Sequence, residues 1–336
     1  MTKPTHTQGS VDSTPAACQQ PRRDFLKHLA AGALAASTLP LIQQQAQGAQ
    51  GAQSNPMATP TATGPLPMVN IAGCLTPRLI IGSNPIGGWS HQIRNMTTAM
   101  LDYYNEATTT QFLRNCEKAG LTLVILPWQD KCLNALKTIW KEGSKMRVYF
   151  LGELAKDGKL GKEIMEYKPP FYLHHGNSTD TLFRAGQQEK VHDFIKKVHD
   201  ELGIKTGISA HNPDCIKYAE DKGWEADVYQ CCFYYVTRPK TEIRAKLGRA
   251  PLGEPFMDSD REDMVKVIQQ VKKPCIAFKI LGAGWLCESD DTVEDAFQYA
   301  LTSIKKTDAI LVGMWPKYKD EITQNVKLVQ RYGVVA

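Results

Sequence analysis

From Leu79 onward the chain repeats one unit: a short apolar run that ends abruptly in polar residues, followed by a stretch with helical spacing. The apolar runs cover residues 79–82, 121–126, 147–151, 171–173, 205–208, 227–232, 274–280 and 309–312. They are continuous rather than alternating, which is the pattern of strands buried on both faces. The helical stretches between and after them cover 109–119, 132–140, 162–167, 189–202, 213–222, 262–271, 293–304 and 320–332. Eight strand–helix units within one domain's length predict a closed (β/α)8 barrel rather than an open doubly wound sheet. No Gly-x-Gly-x-x-Gly follows a strand, so the dinucleotide fingerprint of the open sheet is absent. A short hairpin over residues 69–78 precedes the first barrel strand.

Such barrels place their chemistry at the C-terminal strand ends. Here neighbouring strands finish with Glu153, His175, His211 and Gln230, and a further strand ends at Lys279. His174, His175, Lys279 and Glu153 are therefore the candidate catalytic residues. His175, His211 and Glu153 form a two-histidine, one-carboxylate set able to hold a divalent metal that polarises a carbonyl or hydroxyl. The plainer alternative is that these groups line a water-filled pocket and hydrogen-bond one another. His91 lies in a Gly/Pro-rich loop that would rim the mouth. Trp89, Trp128, Trp285 and Trp315 are candidates for stacking on a sugar ring or a nicotinamide, against the alternative that each is core. The insertion over 237–259, beginning with Arg238, is a candidate lid.

The first part of the chain has a different character. Arg22-Arg23 precede a weakly apolar, Ala/Gly-rich run, and residues 43–53 collapse into Gln/Ala/Gly repeats. Paired arginines in this setting resemble a twin-arginine export signal, expected over residues 1–48; the alternative is an amphipathic first helix. Residues 49–68 read as a disordered Pro/Thr/Ala linker, and 69–336 as the barrel. The reading implies a periplasmic or otherwise exported protein that meets the twin-arginine translocase on its way. The formal net charge of +5 includes the leader's arginines, and basic residues elsewhere alternate with acids. That excludes a nucleic-acid footprint and leaves a small molecule, carbohydrate among the options, as the expected partner. The nine cysteines lack zinc spacing; those inside apolar runs read as buried thiols.

Several strand ends taken in order resemble the aldo-keto reductases. The motifs are Ile81-Gly82-Ser83-Asn84-Pro85 after a hairpin, Phe171-Tyr172-Leu173-His174-His175, Gly207-Ile208-Ser209, Tyr229-Gln230 and Ala277-Phe278-Lys279. The last strand, Ile310-Leu311-Val312-Gly313, followed by the helix carrying Asn325, completes the set. The resemblance spans residues 69–336. It implies an oxidoreductase-like enzyme acting on a carbonyl or sugar-type substrate. It also implies a tightly held NADP contacted by Gln230, Trp89, Lys317 and Asn325. That family works with an Asp, Tyr, Lys and His set, and of these only His175 stands at a matching position. The expectation is thus an aldo-keto-reductase-like barrel with a divergent site. The alternatives are a metal-dependent lyase, isomerase or hydrolase on the same barrel, or a non-catalytic binding barrel.

Overall fold

The computed structural model describes residues 64–335, all within one compact unit. The expected export signal and most of the expected linker lie outside the described residues. The end of that linker is built into the fold: Leu66 packs on the core, the Pro67 carbonyl accepts from the Arg78 amide at 2.8 Å, and Met68 begins the first strand.

Strands β1 (Met68–Ile71) and β2 (Cys74–Pro77) form an antiparallel hairpin. Ala72 and Gly73 make its two-residue turn at φ of 51° and 87°, the mirror-image turn that matches strand twist. The Asn70 side chain holds this turn by accepting from the Gly73 amide at 2.7 Å.

Eight parallel strands then close on themselves: β3 (Leu79–Gly82), β4 (Leu123–Ile125), β5 (Arg147–Gly152), β6 (Phe171–His174), β7 (Lys205–Ala210), β8 (Val228–Cys232), β9 (Cys275–Phe278) and β10 (Ala309–Gly313). The barrel order follows the chain, and β10 pairs back onto β3, with Leu311 opposite Ile80. This is the (β/α)8 barrel that the repeating pattern predicts.

Side chains alternate between two cores, as the period of two along a strand requires. Ile80, Leu123, Tyr149, Phe171, Leu173, Val228, Ile276 and Leu311 fill the interior, and Val69, Ile71 and Cys74 of the hairpin join that cluster. Leu79, Val124, Val148, Tyr172, Ile208, Tyr229, Ala277 and Ile310 face outward to the helices. Gly207 is dictated by packing inside this wall: a Cβ there would lie 1.8 Å from the Val228 carbonyl oxygen, so no side chain fits.

The helices close as their caps direct. Asn105 accepts from the Thr108 amide at 2.9 Å and Thr108 reciprocates, opening helix Glu106–Lys118, which buries Phe112, Leu113 and Cys116. Ser289 and Thr292 do the same for Asp290–Ser303.

Among the described residues, three helices of eight or more residues depart from the sequence expectation. Arg94–Tyr103 buries none of its residues; its Met96 and Met100 face the cleft described below. Gly176–Arg184 buries only Gly176, Thr179 and Asp180, so its inward face is polar. Lys240–Leu247, inside the insertion, buries only Ile243. The first and third bury at most one apolar side chain, and the second packs only Leu182 and Phe183, partly buried, on the core.

Candidate functional site

A cleft of about 1250 Å³ opens at the C-terminal end of the barrel. Its floor holds Gln230, Ser209 and Phe278, and its upper walls carry Trp89, Trp128 and Trp315. Trp89 and Trp128 are each about half exposed, at 48% and 52%, and so present apolar surface at the opening.

The chemically distinctive group is a chain of three side chains from three separate loops. Lys279 follows β9, and its backbone sits at φ 58°, a left-handed conformation uncommon outside glycine. Its Nζ lies 2.6 Å from His91 Nε2, and His91 Nδ1 lies 2.9 Å from Glu254 Oε2. The Asn84 amide nitrogen also approaches His91 Nε2, at 3.1 Å. With two donors on Nε2 and a carboxylate on Nδ1, the imidazole carries its proton on Nδ1 and accepts at Nε2. Burial lowers the Lys279 pKa from its ordinary value, although the neighbouring Cys232 and Glu254 pull the other way. Burial would raise the Glu254 carboxyl, but the His91 hydrogen bond and the nearby positive charges hold it below the usual range. An amine whose charged form is disfavoured thus faces an imidazole backed by a carboxylate.

A second group stands on β6, β7 and the helix between them. His211 Nδ1 donates to Asp180 Oδ2 at 2.8 Å. Asp180 is 2% exposed and also accepts from the His211 and Asn212 amides at 3.2 Å and from the Thr237 hydroxyl at 2.8 Å. The carboxylate therefore sets the imidazole tautomer and ties the β7 loop to the insertion. Gly176 leaves room for this arrangement, since a Cβ there would come within 3.1 Å of the His211 ring and the Ser209 hydroxyl. His175, which precedes that glycine, lines the cleft; burial lowers its pKa, and the adjacent His211 adds to the effect. Asp180→Asn is expected to cost about 2 kcal/mol in a urea titration, because an amide cannot accept from all these donors. A loss below about 0.5 kcal/mol would mean the loop holds without the carboxylate.

The remaining expected residues divide. Trp89, Gln230 and Asn325 line the cleft with His175, His211 and Lys279. The Gln230 amide is engaged at both ends, accepting from Tyr149 Oη at 2.8 Å and donating to Ser209 Oγ at 3.2 Å.

His174 is a correction. It is 1% exposed, hydrogen-bonded through Nδ1 to Thr179 Oγ1 at 2.7 Å and packed edge-on against Phe194. As an outward-facing residue of β6 it meets the helices, while His175, one position on, meets the cleft. Burial, with the positive charge of His175 adding to it, lowers the His174 pKa to about 3. The unfolded chain then binds a proton between about pH 6.5 and 3 that the folded chain refuses. The resulting stability is fully present above pH 6.5 and lost as pH falls toward 3, at about 1.4 kcal/mol per unit at most. A His174→Gln variant is expected to flatten this acid limb in denaturation measurements; an unchanged limb would contradict the assignment.

Glu153 and Lys317 are also corrected. Glu153, just past the end of β5, is exposed and outside the cleft lining. Lys317 is exposed and lies over the Trp315 and Tyr318 rings. The expected ligand set of His175, His211 and Glu153 does not form. Among the described residues no three His, Cys, Asp or Glu side chains gather closely enough to hold a metal ion. His211 already commits Nδ1 to Asp180.

The nucleotide expectation also fits poorly. In this fold, phosphates sit where the last two strand loops meet a helix N-terminus. At helix Glu321–Tyr332 the Asp320 side chain accepts from the Thr323 amide at 3.1 Å, and in the loop before it the Trp315 amide donates to Glu321 at 2.6 Å. Lys319 is paired with Asp290. Cys231 and Cys232, adjacent on β8, offer no nucleophile, because burial raises the Cys232 thiol to about 12 and the Cys231 thiol well above its ordinary value.

Glu254 and Asp180 were not expected from sequence. Glu254 reaches the site from the insertion, and Asp180 from a short helix outside the expected set. No family model and no curated protein matches the chain. Among solved structures, a glycerol dehydrogenase from Gluconobacter oxydans aligns at 11% identity and a TM-score of 0.46, over 80% of this chain and 97% of its own. An aldo-keto reductase from Bacillus halodurans aligns at 15% and 0.46, over 78% and 89%. A truncated 3-deoxy-D-arabino-heptulosonate 7-phosphate synthase from Thermotoga maritima aligns at 12% and 0.45, over 79% and 90%. At these identities the likeness is one of fold.

Proposed function

We propose that the protein is an enzyme that moves protons on a carbonyl- or sugar-type small molecule in the barrel cleft, as an isomerase or lyase does. The observation that carries this reading is the Lys279–His91–Glu254 chain, with contacts of 2.6 and 2.9 Å. Lys279 takes or returns the substrate proton. His91 accepts the proton that the amine gives up, and Glu254 stabilises the imidazolium. His175 and His211 supply further ring nitrogens in the same cleft, suited to an oxygen that gains negative charge as the proton leaves. Trp89 and Trp128 offer faces for the apolar side of a sugar ring.

Hydride transfer on the aldo-keto reductase pattern is the second reading, favoured by His175, Trp89 and Asn325 in the cleft. The Thr323 and Trp315 amides, already bonded to the chain's own carboxylates, weigh against it. Release of nicotinamide on denaturing the purified protein would favour it over the first.

The first reading is tested by proton exchange. Incubating the protein in D2O with a panel of aldoses, ketoses and small keto compounds should place deuterium beside the carbonyl of at least one. No exchange above the uncatalysed rate with any of them would sink the reading. Arg22-Arg23 and the segment after them support export. Replacing both arginines by lysine should retain the protein in the cytoplasm; unchanged export would count against a twin-arginine route.

A further inference from the structure

We propose that Lys279 is also a covalent nucleophile, forming an iminium with an aldehyde or ketone substrate. This deepens the preceding reading and rests on Lys279 being the reactive group of the cleft. Three observations carry it. The amine lines a cleft large enough for a small sugar. It has a proton acceptor at 2.6 Å, His91 Nε2, which is itself held by Glu254. Its backbone is fixed at φ 58°, directly after a barrel strand, a conformation retained where the surrounding structure requires it. A lysine kept only for charge or packing needs neither the relay nor the strained backbone.

The step balances without any further reagent. Lys279 enters as the ammonium and passes one proton to His91. The nitrogen lone pair attacks the carbonyl carbon, and the carbonyl π pair moves to oxygen. One N–H proton goes to that oxygen, giving the carbinolamine. His91 then returns its proton to the same oxygen, the C–O bond breaks and water leaves with both protons. The iminium nitrogen keeps the third. Its positive charge would withdraw electrons from the adjacent carbon, the position at which proton exchange is expected.

The test uses the full chain and borohydride trapping. The protein is incubated at neutral pH with glyceraldehyde, dihydroxyacetone, pyruvate or glucose, with and without sodium cyanoborohydride, and the modified lysines are located by peptide mass spectrometry. The expected result is a reduced adduct on Lys279 at least about ten-fold above the mean of the exposed lysines, with one or more of these carbonyls. His91→Gln should reduce the trapping rate at Lys279 while leaving the exposed lysines unchanged. Adducts spread evenly over surface lysines, or none on Lys279, would overturn the inference. If exchange in D2O persists and depends on Lys279 but nothing is trapped there, the lysine only carries protons. In that case the covalent step fails and the proposed function stands. Trapping at Lys279 without exchange supports the covalent step and removes the proton-transfer reading.

Discussion

Lys279→Met is expected to lower turnover by about 10³-fold, within the range that loss of a positioned acid–base group produces, while leaving the barrel folded. Methionine keeps the length and apolar stem of lysine and removes only the amine. It should not destabilise the protein through charge, because the folded state already disfavours the ammonium. The sign follows from linkage. Below the folded-state pKa of Lys279 both states are protonated, and the folded one carries the full cost of the buried charge. As pH rises from that value toward 10.5, the unfolded chain holds a proton the folded chain has released, so wild-type stability increases. The methionine variant lacks this rise. A variant that retains wild-type turnover on a substrate found by exchange would place the chemistry elsewhere in the cleft.

The largest effect on stability is expected at the opposite end of the barrel. Arg78, just before β3, is fully buried. Its Nε donates to the Asp308 carbonyl at 2.9 Å, and its Nη2 to the carbonyls of Lys305 at 2.8 Å and Leu301 at 3.3 Å. Its own carbonyl accepts from the Ile310 amide at 2.8 Å, where the last strand closes on the first. Burial lowers the guanidinium pKa, and the Asp308 charge opposes that effect. Arg78→Met would remove the side-chain donor from three carbonyls, while the buried Asp308 carboxylate would keep its Lys305 partner. Leaving buried acceptors without a donor costs about 1–3 kcal/mol each, so a total loss of about 3–5 kcal/mol is expected. The loss should appear as a lower urea midpoint at an unchanged slope. A change below about 1 kcal/mol would mean that barrel closure does not depend on this residue.

The barrel was legible because its strands are buried on both faces and so stand out as unbroken apolar runs. Every one of them lies within about two residues of its expected position at each end. The site was legible only where it sits at strand ends, as with His175, His211, Gln230 and Lys279. Between His174 and His175 the decision rests on one step of strand alternation, and a run that simply stops gives no sign of which residue is the last to face outward. Asp180 escaped notice for a different reason. Its short helix buries Gly176, Thr179 and Asp180 and packs only Leu182 and Phe183 on the core, and nothing in its sequence pairs Asp180 with His211. Glu254 lies in an insertion far from His91 in sequence, and only the fold brings the two together. Glu153 and Lys317 have suitable chemistry at suitable places in the chain, but both are exposed.

The central claim is that Lys279 is a lysine set apart by its surroundings, and competitive acetylation across pH tests it without knowledge of the substrate. Trace acetic anhydride is applied to the folded protein at a series of pH values, and each lysine's acetylation is read against the fully labelled denatured chain. Lys279 is predicted to gain reactivity at lower pH than the exposed lysines, whose ordinary value is near 10.5. Reactivity of Lys279 that rises together with the exposed lysines would contradict the account.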